Sequence, residues 1–153
     1  MIYSHASDEN NLRGTVPTEL PAALTELTKL KLDSNHLTGT IPSNIGLLRH
    51  LVELDLDKNV LTGTLPDSLF GGGGSALEVL DLDSNRLGGT ISSRVGDLEG
   101  LRWFQIDRNL FVGQIPVEVS SLSNLRTFVC LFIFCVLYYW MVYGVAVDLI
   151  EPN

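Results

Sequence analysis

The sequence predicts a solenoid of repeats in which each repeat contributes one short strand, and three observations support this fold class. The first is the stretch Leu27–Pro42, whose spacing of apolar residues, asparagine and glycine returns three more times along the chain, twice with the proline. The second is the period: the asparagine recurs after 24, 26 and 24 residues, which is typical of solenoids. The third is the alternation in Leu30, Lys31 and Leu32, which predicts a strand with one buried face.

One asparagine follows the strand in each repeat, where the chain is expected to turn inward. Its side-chain amide can bond backbone groups that would otherwise be buried without a partner. Glycines such as Gly39 suit a backbone conformation that other residues resist, and prolines such as Pro42 remove a donor where the chain leaves the strand. The sequence therefore predicts a structural asparagine ladder, formed by Asn35, Asn59, Asn85 and Asn109.

The repeat can be written LxxLxLxxNxLxGxIPxxIGxL, and this form resembles the leucine-rich repeat of the 24-residue type found in plant receptor ectodomains. The resemblance covers residues 10–126, with four full copies and a partial copy at each end. It implies an α/β-type solenoid, a right-handed curved coil whose short parallel strands line a concave face used for protein recognition. It implies no catalysis and no cofactor.

The pattern divides the chain into an irregular N-terminal stub (1–9), the leucine-rich repeats (10–127), an apolar segment (128–147) and a short tail (148–153). In the stub, the positions of the strand leucines hold Ile2, His5 and Ser7. Two interpretations stay open: Met1 is the true start of the protein, or the chain is a fragment. The glycine run at 71–74 is expected to be an insertion in an outer loop of one coil, with a hinge as the alternative.

The apolar segment 128–147 has twenty residues without a charge, enough for a helix to cross a bilayer. The sequence predicts a single-pass transmembrane helix. A buried final coil that caps the solenoid and a gene-model artefact are the alternatives. If the chain is complete, the repeats are expected in the cytosol, and if an upstream signal peptide is missing, they are expected outside the cell or in the lumen.

Composition and motifs argue against several classes of function. The net charge of −8 disfavours a nucleic-acid partner, because a phosphate-binding surface needs clustered Lys and Arg. The sequence has no GxSxG motif, no phosphate loop and no His/Cys cluster with metal spacing. We therefore expect a protein that is not an enzyme, with no catalytic, cofactor-binding or metal-binding residues.

Side chains between and after the strand leucines are expected to point away from the core and to form a partner-binding face. With strands about 4.8 Å apart, equivalent residues of successive repeats should stack in columns, one of aspartates after the strands and a second beside it. The candidate residues are Lys29, Lys31, Asp33, Glu53, Asp55, Asp57, Asp81, Asp83, Trp103, Gln105, Asp107 and Arg108.

This candidate face is acidic in its middle, with a basic corner at Lys29 and Lys31 and an aromatic residue at Trp103. It predicts a protein or peptide partner of basic character, since recognition faces use aromatic anchors and complementary charge. The alternative is that the aspartates only keep the surface solvated. The function predicted is a non-catalytic, membrane-anchored recognition module. The competing interpretation is a soluble or structural fragment of a larger receptor-like protein, with no ligand of its own.

Overall fold

The structure, a computed structural model, describes residues 3–6, 11–71 and 76–130. Within these ranges the chain forms short strands, one α-helix, α1 (Leu20–Ala23), and several 3-10 helices. The strands in chain order are β1 (Tyr3–Ala6), β2 (Arg13–Thr15), β3 (Leu27–Lys31), β4 (His36–Thr38), β5 (Glu53–Asp55), β6 (Thr62–Gly63), β7 (Val79–Asp81), β8 (Arg86–Gly89), β9 (Trp103–Gln105), β10 (Leu110–Phe111) and β11 (Thr127–Val129). The 3-10 helices are Ser43–Leu47, Asp67–Leu69, Ser93–Asp97 and Val117–Ser121.

One strand from each coil joins a six-stranded parallel sheet in the order β1-β3-β5-β7-β9-β11. The register places Leu30 opposite Leu54, Leu54 opposite Leu80 and Leu80 opposite Phe104. These residues are fully buried, so they form one continuous column of the core. Since side chains alternate along a strand, the residues before and after each member of the column lie on the opposite face of the sheet. We call that opposite face the sheet face.

Strands in the second halves of successive coils form two further small sheets, which the repeat pattern does not predict. They are a three-stranded sheet, β10-β8-β6, and a two-stranded pair, β2-β4, all parallel. The glycine of the repeat is required here. Gly63 has φ +82°, and a Cβ atom on it would lie 2.8 Å from Cγ2 of Thr40 in the preceding coil.

The core runs the length of the described solenoid as a single cluster of buried leucine, isoleucine and valine side chains. In the last two coils phenylalanine replaces leucine in the strand column. Phe104 and Phe128 are both buried, and their rings stack with centroids 5.2 Å apart and an interplanar angle of 21°. Successive coils therefore bury each other's apolar faces, as repeat architectures require.

The N-terminal stub expected at residues 1–9 is not wholly irregular. Tyr3–Ala6 form β1, which pairs in parallel with β3 and places His5 opposite Leu30. The repeat pattern does not predict this strand, because the strand contains no leucine. Sheet pairing uses backbone groups, which every residue except proline supplies in full.

The apolar helix expected from residue 128 does not begin there. Thr127–Val129 form β11, which pairs in parallel with β9, so the repeats extend at least to Val129. The reason is that Phe128 occupies the position of a strand leucine and packs on Phe104. Residues 131–147 of the expected helix, and the glycines at 72–74, lie outside the described residues. In the part of the chain that the structure describes, no helix is long and apolar enough to cross a membrane.

Candidate functional site

The asparagine side chains link each coil to the coil before it. Asn59 Oδ1 accepts from the backbone N–H of Leu37 at 2.9 Å, and its Nδ2 donates to the backbone oxygens of Leu32, Leu56 and Asp57 at 2.8, 3.2 and 3.0 Å. Equivalent bonds are made by the other members, Asn35, Asn85 and Asn109. These buried or partly buried amides thus satisfy backbone groups of two coils and hold in place the turns that follow the strands.

The residue before each of these asparagines adopts a left-handed backbone conformation. The φ angles of Ser34, Lys58, Ser84 and Arg108 lie between 47° and 54°. Such angles are uncommon for residues other than glycine. Their recurrence at one position in successive coils shows that the inward turn to the asparagine requires them.

The aspartates that precede this turn are mostly buried. Asp57, Asp83 and Asp107 expose between 3% and 8% of their surface, and Asp33 is half-buried. Each of the three buried members has a polar neighbour in the next residue. These contacts are Lys58 Nζ to Asp57 Oδ2 at 2.8 Å, Ser84 Oγ to Asp83 Oδ2 at 2.8 Å, and Arg108 Nε to Asp107 Oδ2 at 3.8 Å.

The basic corner expected at Lys29 and Lys31 is already paired. Both amines contact Glu53 on the neighbouring strand, Lys29 Nζ at 2.8 Å from Oε2 and Lys31 Nζ at 2.5 Å from Oε1. Desolvation acts to raise the pKa of Glu53, but the hydrogen bonds from the two lysines outweigh it and hold this pKa below its ordinary value. The three residues therefore form an ion-paired cluster with a net charge of +1, in which both lysines share one carboxylate, rather than a free positive patch.

The negative charge of the sheet face that lacks a close cation lies at Asp55 and Asp81. The register places them directly opposite each other on β5 and β7, and among the described residues neither has a Lys, Arg or His nitrogen within 4.0 Å. Each accepts a backbone N–H bond at 3.3 Å, from Asp57 and Asp83 respectively.

Partial burial and like charge perturb the ionisation of both groups. Desolvation, and then the neighbouring carboxylates Asp33 and Asp57, raise the pKa of Asp55 to about 6, against the lowering effect of its backbone hydrogen bond and of Lys31. Desolvation and the carboxylates of Asp55, Asp83 and Asp57 raise the pKa of Asp81 to about 7. A cation placed between the two carboxylates would relieve this repulsion.

Replacing Asp81 by asparagine is expected to stabilise the protein at pH 8 by about 1 kcal/mol, a value already reduced for solvent screening of a half-exposed group. The folded protein binds more protons than the unfolded chain between pH 3.8 and about 7, because folding raises the pKa of Asp81. The free energy of unfolding therefore falls as the pH rises through this window, and the amide removes that loss. Thermal unfolding at pH 5 and pH 8 measures the effect.

The control for this prediction is Asp97→Asn, at an exposed carboxylate on a 3-10 helix away from the sheet face. It should leave the difference between pH 5 and pH 8 unchanged. If the stability of the Asp81→Asn protein depended on pH as strongly as that of the parent, this result would contradict the raised pKa of Asp81.

An aromatic residue lies beside the carboxylate pair. Trp103 is 40% exposed on β9, and its Nε1 donates to Gln105 Oε1 at 2.5 Å. Val79 lies opposite Trp103, and Asp81 lies opposite Gln105. The indole is therefore held one strand away from Asp81 and two strands away from Asp55.

A cluster of three carboxylates, Asp33, Asp55 and Asp57, has one oxygen of each within 4.8 Å of the others. Calcium prefers oxygen ligands but takes six to eight of them. Three carboxylates alone do not define such a site, and we assign no metal to them.

Comparison with known proteins places this arrangement in a family. The family model described as leucine rich repeat matches residues 25–87. Solved structures that the chain resembles include ectodomains and complexes of plant receptors. This chain belongs to the leucine-rich-repeat proteins of the plant receptor-like type. No match was found among curated protein sequences.

Three of these structures show the extent of the likeness. The plant peptide hormone receptor RGFR1, in complex with RGF2, is 35% identical, with a TM-score of 0.76 over 80% of this chain and 19% of the receptor. The SOBIR1 ectodomain from Arabidopsis thaliana is 34% identical, with a TM-score of 0.73 over 79% of this chain and 64% of that protein. The Arabidopsis receptor kinase HAESA, in complex with the peptide hormone IDA and the co-receptor SERK1, is 34% identical, with a TM-score of 0.72 over 78% of this chain and 20% of that receptor. The chain thus spans less than two thirds of each relative.

On this leucine-rich-repeat surface, the sequence predicted which strands lie side by side. It did not predict how deeply the aspartates are buried or which charged side chains pair. It selected Asp55, Asp81, Trp103 and Gln105, which the sheet places together. It treated the aspartates after the strands as the leading column, although three of them are buried. Their depth follows from the left-handed turn, which comes directly after the strand and draws the chain inward.

Proposed function

We propose that the sheet face binds a protein or peptide without catalysis, and that the bound segment is basic. The observation that carries the proposal is the in-register pair Asp55 and Asp81, two partly buried carboxylates that lack a close cation among the described residues. Lys31 lies opposite Asp55 but its amine contacts Glu53, so a cation from a partner would supply the direct ion pair that the described residues do not make with Asp55 or Asp81. The other charged groups of the sheet face, Glu53 with Lys29 and Lys31, are already paired.

The comparisons support recognition of a polypeptide in general terms. RGFR1 is described in complex with RGF2, and HAESA with the peptide hormone IDA and the co-receptor SERK1. Because the chain spans about a fifth of either receptor, we propose only the same class of ligand for it. Attachment to a membrane through residues 128–147, and the cellular side on which the repeats lie, stay predictions from the sequence.

Binding of a hexa-lysine peptide to the full chain in a nonionic detergent tests the proposal. We expect the affinity to fall as NaCl rises from about 0.05 to 0.5 M, since added salt shortens the Debye length and screens surface charge. Replacing both carboxylates, Asp55→Lys plus Asp81→Lys, is expected to weaken binding at low salt by at least about tenfold, because attraction becomes repulsion. Isothermal titration or fluorescence anisotropy measures both effects.

The matched control is Glu99→Lys plus Glu118→Lys, which changes the net charge equally at two exposed positions outside the main sheet. If this control weakened binding as much as the test variant, the peptide would be responding to net charge, and the sheet face would not be the site. Binding that ignores salt would also contradict the proposal.

A further inference from the structure

One corner of the sheet face combines an aromatic ring with carboxylates, and we call Trp103, Gln105, Asp81 and Asp55 the tryptophan corner. Trp103 lies one strand away from Asp81 and two residues along, so the two are diagonal neighbours. Diagonal neighbours in a sheet lie about 7–8 Å apart, which long or planar side chains can bridge. The hydrogen bond between Trp103 Nε1 and Gln105 Oε1 fixes the indole in this place.

On the basis of the proposed function, we propose that the tryptophan corner recognises an arginine side chain of the basic partner in preference to a lysine. The guanidinium would lie between the Trp103 ring and the carboxylate of Asp81, while Asp55, one strand farther from the ring, would add its negative charge. The ring and the Asp81 carboxylate would thus be two contacts for a single group.

Arginine suits this combination because its charge is planar. A guanidinium stacks on an aromatic ring and bonds a carboxylate through two parallel N–H groups at the same time. A lysine ammonium is a compact and strongly hydrated charge, which the carboxylates attract but which gains less from the flat ring.

The groups around the corner favour this position over others on the sheet face. On β3 and β5 the charges of Lys29, Lys31 and Glu53 are paired with one another. After the strands, Asp57 contacts Lys58 and Asp107 contacts Arg108. The corner is where exposed aromatic surface and carboxylates without a close cation meet within the described residues.

The experiment compares hexa-arginine with hexa-lysine, two peptides of equal charge, on the full chain in a nonionic detergent. We expect hexa-arginine to bind about fivefold more tightly. Trp103→Leu should reduce this ratio to about one by weakening hexa-arginine binding more than hexa-lysine binding, because it removes the ring and keeps the charges. Trp103→Phe, which keeps an aromatic ring, should restore part of the preference.

The control Leu110→Ala removes exposed apolar surface outside the sheet face and should leave the ratio unchanged. Equal affinity for the two peptides, or a preference that survives Trp103→Leu, would overturn the arginine proposal while leaving the basic-partner proposal intact. If neither peptide bound, both proposals would be overturned. Circular dichroism of each variant establishes that the repeats remain folded.

Discussion

Asn59→Ala is expected to lower the free energy of unfolding by about 3 kcal/mol, a large cost for removing one small polar group. The side chain makes four hydrogen bonds to backbone atoms of two coils, and it is buried. Alanine would leave the N–H of Leu37 without its acceptor and the carbonyl groups of Leu32 and Leu56 without this donor. Buried groups that lose their partners cost more than an average hydrogen bond contributes.

Urea unfolding of the full chain, followed by circular dichroism, measures this cost. Asn124→Ala is the matched control, because Asn124 is exposed and its side chain donates one hydrogen bond, to Glu99 O at 2.9 Å. We expect its effect to stay within about 0.5 kcal/mol, as for most surface substitutions. Equal effects of the two substitutions would show that the asparagine ladder contributes little to stability.

The sequence predicted those parts of the fold in which a position requires one particular type of side chain. A buried strand position needs an apolar side chain, so the column through Leu30, Leu54 and Leu80 could be read directly from the spacing. The inward turn needs an amide that both donates and accepts, so Asn59 and its equivalents also stood out. The strand β1 was missed because its pairing depends on the backbone, which leaves no mark in the choice of side chain.

The site was harder to predict because its properties depend on pairs of residues. Lys29 and Lys31 read as a positive corner until the register places Glu53 beside both of them. Asp57 reads as exposed until the left-handed turn at Lys58 draws the chain inward. Ion pairs across strands and the depth of a turn arise only when coils stack, and no single repeat encodes them.

The carboxylate pair is expected to lower the stability of the fold while serving the proposed binding of a basic partner. Desolvation, and then repulsion from neighbouring carboxylates, raise the pKa of Asp55 and Asp81, so at neutral pH the fold carries an unfavourable burial of charge that asparagine would remove. Proteins retain such unfavourable arrangements chiefly at functional sites, where a ligand relieves them. A variant that melts at a higher temperature at pH 8 but binds basic peptides less well would show this trade-off directly.

Phe104→Ala is expected to lower the free energy of unfolding by about 3–5 kcal/mol, the range for emptying a fully buried phenylalanine position. The ring occupies the strand column on β9 and stacks on Phe128 of the next coil at 5.2 Å. Alanine would lose the favourable free energy of burying the ring away from water and would leave a cavity. It would also remove a stacking contribution of about 0.5–1.5 kcal/mol. Phe104→Leu restores the residue of the earlier coils and should cost less than about 1.5 kcal/mol.

The position of Phe104 near one end of the described solenoid predicts how that loss would appear. Coils contact only their neighbours, so a weak coil can open while distant coils stay folded. In Phe104→Ala, hydrogen exchange should therefore accelerate first at Trp103–Gln105 and Thr127–Val129, while Glu53–Asp55 keeps its protection. The tryptophan corner would be lost before the rest of the sheet face, and the preference for arginine with it. Uniform loss of protection along all coils would instead show that the described repeats unfold as one cooperative unit.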